Sequence, residues 1–175
     1  TLTDALKREI ERDGQIFVVC PRIKDIEIVL KLIKKMSPES KISVAHGRLT
    51  PTELEDSIIR FHQKASNILI STNIIESGID IPNANTLIIY NADLFGLSQL
   101  YQLRGRVGRS DKRAYAYLTT KKGKVLNDNA IERLKVLKTL DNLGAGFSLA
   151  NYDLDIRGAG NLLGDEQSGQ IRDIG

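Results

Sequence analysis

The densest chemical signal in the chain is Gln99-Leu100-Tyr101-Gln102-Leu103-Arg104-Gly105-Arg106-Val107-Gly108-Arg109-Ser110. On a helix, Gln102, Arg106 and Arg109 stand at i, i+4 and i+7, so they project from one side and present two guanidinium groups to one anion. Arginine suits that task better than lysine because its planar fork grips phosphate oxygens in pairs. Gly105 and Gly108 each cost about 1 kcal/mol relative to alanine inside a helix, a cost that close approach of a neighbouring backbone or a ligand would justify. The competing account is a frayed basic turn. The surrounding charge is uneven: from Arg104 to Lys138 the chain carries eleven Lys and Arg against three Asp and Glu, although its net charge is only +3. That asymmetry suits an anionic partner. A solvated lysine-rich face is the alternative.

Other chemistries fit poorly. A phosphate-cradling loop needs G-x-x-x-x-G-K-[ST], because successive backbone N–H groups and one lysine must surround the phosphates. The only Gly-Lys pair is Gly123-Lys124, followed by Val125 and preceded by Leu118 where the first glycine should stand. Asp165-Glu166 imitates a metal-binding acidic pair but follows Gly164 and a two-residue apolar run, not a buried strand. Gly158-Ala159-Gly160 imitates a dinucleotide fingerprint with only fifteen residues left to complete the unit. His46 and His62 lack a second ligand at metal spacing, so no metal site is expected; His62 is assigned a hydrogen-bonded structural role. Cys20, ahead of Pro21, is assigned to a strand end as a small apolar side chain, with no basic cluster to activate it. Glu76 has no acid partner and is assigned to loop stabilisation.

The elements that must position these groups follow from periodicity. Ile16 to Cys20, Ile42 to Ala45, Ile68 to Ser71, Thr86 to Tyr90 and Ala114 to Thr119 are short, rich in β-branched or aromatic residues, and bounded by Gly, Pro or Asn, so they are predicted strands. Helices are predicted at Thr3 to Asp13, ended by Gly14, and at Lys24 to Lys35, with Ile26, Val29, Leu30 and Ile33 inward. A third begins at Thr50-Pro51-Thr52-Glu53, with Thr50 as N-cap, Pro51 at the first helical position and Glu53 closing a capping box; Leu54, Ile58 and Phe61 mark its buried face. Strands alternating with helices imply an α/β fold, a mainly parallel sheet covered on both faces. The alternation is expected to stop near Thr120. A helix from about Asp128 to Asn142, a short apolar segment and a Gly-rich tail from Gly158 to Gly175 complete the chain, which divides into residues 1–125 and a helical appendage over 126–175.

With 175 residues, 41% hydrophobic and 27% charged, the composition suits a globular domain that buries about 70% of its unfolded surface. One cysteine excludes disulfide scaffolds and Cys-rich zinc sites. The apolar runs fall far short of the roughly 20 residues of a membrane span, and no signal peptide opens the chain, so an intracellular, soluble protein is expected. The missing initiator Met and the start inside a helix suggest an excised fragment.

Gln102-Leu103-Arg104-Gly105-Arg106-Val107-Gly108-Arg109 resembles motif VI, Q-x-x-G-R-x-G-R, of superfamily 2 helicases and translocases. Residues Ile68 through Pro82, ILISTNIIESGIDIP, resemble motif V of the same enzymes. The resemblance implies the second RecA-like lobe of a two-lobe motor, in which Arg106 and Arg109 reach the γ-phosphate of ATP and Gln102, Gly78 and Asp80 lie at the nucleotide edge. It places Thr72 and Gly47, with His46 beside it, against the nucleic-acid backbone. ATP and Mg2+ would be held mainly by a first lobe that this chain lacks. Glu132-Arg133-Leu134, Asp153 through Gly164 and Gln167-Ser168-Gly169 resemble the translocation motif of two bacterial families, the transcription-repair coupling factors and the RecG helicases, a helical hairpin and loop that couples ATP turnover to movement on double-stranded DNA. That implies coupling roles for Arg133, Arg157 and Gln167. Ala159, where RecG usually carries Pro, favours the coupling factors. The partners so implied are double-stranded DNA and the first lobe, with RNA polymerase and excision-repair factors engaged through other domains, in the bacterial cytoplasm. Two accounts compete: half of a DNA translocase, and a RecA-like module that binds nucleic acid or protein without motor function.

Overall fold

The computed structural model describes residues 2–73, 84–108, 113–121, 125–141 and 147–154. The elements run α1 (Leu2–Glu11), β1 (Gln15–Val19), α2 (Ile23–Met36), β2 (Ile42–Ala45), α3 (Pro51–His62), β3 (Ile68–Ser71), β4 (Ala84–Ile89), a 3-10 turn (Ala92–Leu94), α4 (Leu97–Arg106), β5 (Ala114–Lys121), α5 (Asp128–Asp141) and β6 (Phe147–Leu154). The six strands form one sheet in the order β2-β3-β1-β4-β5-β6, and every neighbouring pair is parallel. The five strands expected from sequence are present within two residues at each end.

Strand side chains alternate between two cores, as a period of two requires. Phe17, Val19, Leu69, Leu87, Ile89 and Leu118 face one way, against Phe61 of α3 and Leu100 and Leu103 of α4. Ile16, Val18, Ile68, Ile70 and Ile88 face the other, against Leu2 and Leu6 of α1 and Ile26, Val29 and Ile33 of α2. Burial on both faces of the central strands β1, β3 and β4 explains why they are largely apolar and show no strict polar alternation. The predicted capping box of α3 forms: Glu53 N donates to Thr50 Oγ1 at 3.2 Å and Thr50 N to Glu53 Oε1 at 3.2 Å.

Two expectations need correction. The helix carrying Gln102 stops at Arg106; Val107 is extended (φ −125°, ψ 162°) and Gly108 has φ +69°. The helical i+7 relation therefore does not reach Arg109, and Gly108 is required by its backbone conformation, since side-chain-bearing residues are disfavoured there. The alternation also continues past Thr120: residues Phe147–Leu154, expected as a short apolar segment with no further strand, form β6, which pairs with β5 from Ala114↔Phe147 to Lys121↔Leu154. The edge of β5 offers a full ladder of unpaired backbone groups, and pairing satisfies them.

Candidate functional site: two edges of a parallel sheet

In a parallel sheet every carboxyl end lies along one edge, and loops leaving it converge there. The turn after β2 and the end of β3 meet at this edge, where Thr72 N donates to Ala45 O at 3.3 Å. His46, Gly47 and Thr72, separate in sequence, are thereby neighbours in the fold. Beside Gly47 there is open space where a Cβ would be, so an approaching ligand could lie directly on its backbone. His46 Nδ1 accepts from Arg48 N at 3.2 Å, and His46 O from Leu49 N at 3.2 Å. The histidine thus shapes its own turn through one ring nitrogen. His62 is exposed on the last turn of α3.

At the opposite edge, Gly108 N donates to Ala84 O at 3.0 Å. This bond joins the exit of α4 to the start of β4. The bond seats the end of the Gln102–Arg109 stretch on the sheet; residues 74–83 and Arg109 lie outside the described residues. Gly108 packs so closely on β5 that a Cβ there would stand 2.6 Å from Ala114 Cβ. Gln102 and Arg106 lie one helical turn apart on α4, the first exposed and the second half-buried, and Gly105 between them has nothing within 4 Å of a Cβ position. Gly78, Asp80, Glu76, Arg109, Arg157 and Gln167 lie outside the described residues.

The side-chain donors at this edge are the Arg106 guanidinium and the Gln102 amide, groups of the kind that bind phosphate oxygens. Among the described residues no group of three or more His, Cys, Asp or Glu side chains could hold a metal, and no helix is long and apolar enough to cross a membrane.

Arg133 ties α5 to the body: its Nη2 donates to Asp93 O at 2.9 Å, in the 3-10 turn just ahead of α4. Asn127 opens α5 as its cap, its Oδ1 accepting from Ala130 N at 2.8 Å. Cys20 is buried, and burial pushes its thiol well above the usual range, with the Asp25 carboxylate adding to the effect.

Sequence reasoning missed Glu9. It is 1% exposed and accepts hydrogen bonds from Arg12 Nε, from Arg12 Nη2 at 2.7 Å and from Thr86 Oγ1. A signal existed: Leu2, Ala5, Leu6 and Glu9 share one helical stripe, so an acid stands where an apolar residue belongs.

Residues 1–111 match the family model described as helicase conserved C-terminal domain. The transcription-repair-coupling factor of Rickettsia typhi is 52% identical over 174 residues, 99% of this chain and 16% of that protein. The chain thus spans about one-sixth of the length of this relative. RecG bound to a three-way DNA junction superposes with a TM-score of 0.65 at 39% identity, covering 78% of this chain and 18% of that one. Domain 2 of the DEAD-box helicase Mss116p, bound to an RNA duplex, superposes with a TM-score of 0.63 at 19% identity over 98% of this chain and 64% of that one, a likeness of fold alone.

Proposed function

Because the chain belongs to the helicase conserved C-terminal domain family, we propose that it is the second RecA-like lobe of an ATP-driven double-stranded DNA translocase serving transcription-coupled repair. What supports this reading above all is the match of residues 1–111 to the helicase C-terminal family model, together with the seating of the motif VI helix α4 on the sheet through the bond from Gly108 N to Ala84 O. The similarity to a transcription-repair-coupling factor over nearly the whole chain favours that branch over RecG.

In this reading Arg106 and Arg109 place guanidinium charge against the γ-phosphoryl group of ATP as it transfers, where the developing charge is largest. Gln102, Gly78 and Asp80 orient the nucleotide. The phosphate cradle and Mg2+ belong to the first lobe, so this chain alone is expected not to hydrolyse ATP. At the other edge, Thr72 and the open backbone of Gly47, with His46 alongside, lie on the sugar-phosphate backbone. Contacts of that kind position a motor without reading sequence. Arg133, Arg157 and Gln167 carry movement of the lobe to the duplex. RNA polymerase and excision-repair factors are engaged through other parts of the longer protein.

The test is DNA-stimulated ATP hydrolysis by a protein carrying this chain together with an ATP-binding lobe. Arg109→Ala should lower turnover about 10³-fold and leave nucleotide affinity within several-fold, the signature of a group that acts in the transition state. Turnover near wild type would make the arginines structural and leave a nucleic-acid-binding module without motor function.

A further inference from the structure

We propose that Arg12, locked in place by the buried Glu9, is a positioning residue for Arg106. The inference rests on the reading of Arg106 as a phosphate-facing group and adds a device that sets where it stands.

Arg106 is the last helical residue, and its direction depends on how Val107 and Gly108 are seated. Gly108 is held by two strands, through its hydrogen bond to Ala84 O at the start of β4 and its close packing on Ala114 at the start of β5. Those two strand ends must keep a fixed offset for Arg106 to keep its position. Glu9 and Arg12, both from α1, grip both strands. Glu9 accepts from Thr86 Oγ1, two residues into β4. Arg12 Nη2 donates to Arg113 O at 2.6 Å, one residue ahead of β5. The same guanidinium is bound by both oxygens of Glu9, and that carboxylate raises the Arg12 pKa further.

The site has the marks of a built one. Glu9 is buried, and its side chain fills the space beside Gly14 so fully that a Cβ at Gly14 would stand 2.0 Å from Glu9 Oε2. Three guanidinium groups crowd the Tyr115 ring, with Arg8 4.1 Å, Arg12 5.5 Å and Arg113 5.8 Å from its centroid. Mutual repulsion would part them without the Glu9 carboxylate and the ring face. A burial of this kind costs desolvation and is weak as a stabilising device, whereas fixing the geometry of two strand ends is something an apolar pair could not do through directional bonds.

The test uses a protein carrying this chain with an ATP-binding lobe. It measures kcat and KM for ATP in DNA-stimulated hydrolysis, and melting temperature, for Arg12→Lys, Arg12→Gln, Arg106→Ala and the double variant Arg12→Gln/Arg106→Ala. Lysine keeps the charge opposite Glu9 but cannot reach the carboxylate and the Arg113 carbonyl together. It should melt within a few degrees of wild type yet lose about tenfold in kcat with KM nearly unchanged; a tenfold loss corresponds to about 1.4 kcal/mol of transition-state stabilisation. Arg12→Gln should lose at least as much, and adding it to Arg106→Ala should change kcat less than twofold. If kcat falls only in step with melting temperature, or if the Arg12 and Arg106 losses multiply while Arg106→Ala alone is severe, the positioning role is overturned and the phosphate reading stands. If Arg106→Ala leaves turnover intact, both fall.

Discussion

Gly108→Ala probes the exit of α4 directly, and its cost can be worked from the structure. Gly108 has φ +69°, where a residue with a Cβ is disfavoured by about 1–2 kcal/mol. The added methyl would also stand 2.6 Å from Ala114 Cβ, against an optimum of about 3.5–4.0 Å between carbons. Overpacking of this kind costs about 1–3 kcal/mol once neighbours shift to relieve it. Alanine also restricts the unfolded chain, which returns about 0.4–1 kcal/mol. The net expectation is a loss of about 2–4 kcal/mol, or about 5–15 °C in melting temperature for a chain of this size. Urea unfolding of the chain followed by circular dichroism reads the free energy. A cycle with Ala114→Gly separates the two causes. That change alone should cost about 0.5–1 kcal/mol for glycine in a strand, but in the Gly108→Ala background it should recover stability by removing the clash. Unfolding of Gly108→Ala within 0.5 kcal/mol of wild type would refute the described exit of α4. Full additivity in the cycle would leave backbone strain as the whole cost.

Thr50→Ala removes the capping box of α3 and should cost about 1 kcal/mol, with Thr50→Ser restoring most of it in the same unfolding assay. Cys20 should resist alkylation in the native chain at mildly alkaline pH and react once denatured, because burial holds its proton. Its folded-state pKa lies above the unfolded one, so its contribution to stability is complete below the ordinary thiol range and is lost as pH rises through and beyond it; Cys20→Ala should flatten that alkaline fall in unfolding free energy. Arg133→Ala removes the bond to Asp93 O and, in a protein with both lobes, should keep DNA-stimulated ATPase within several-fold while abolishing triplex displacement; proportional loss of both, with lowered melting temperature, would make the contact purely structural.

The sequence by itself determined what depends on neighbours along the chain. The five strands it marked are apolar runs bounded by breakers, and the start of α3 is written in Thr50, Pro51 and Glu53, whose bonds span only three residues. The pairing of Gln102 with Arg106 on one face followed from helical spacing alone. Tertiary structure decided the rest. Which glycine ends α4 is not written in the chain, since Gly105 and Gly108 are equally poor helix formers; Gly105 stays helical, while Gly108 takes the left-handed turn with its N–H bonded to Ala84, 24 positions earlier in the chain. Nor does Phe147–Leu154 announce itself as β6, since it becomes a strand by completing the open edge of β5. Glu9 and Arg12 gain their role only because Thr86 comes within reach of the one and the Arg113 carbonyl of the other. Hydrogen-bonding capacity is a property of each residue, but which capacity is met, and by whom, is fixed only when distant strands are set side by side.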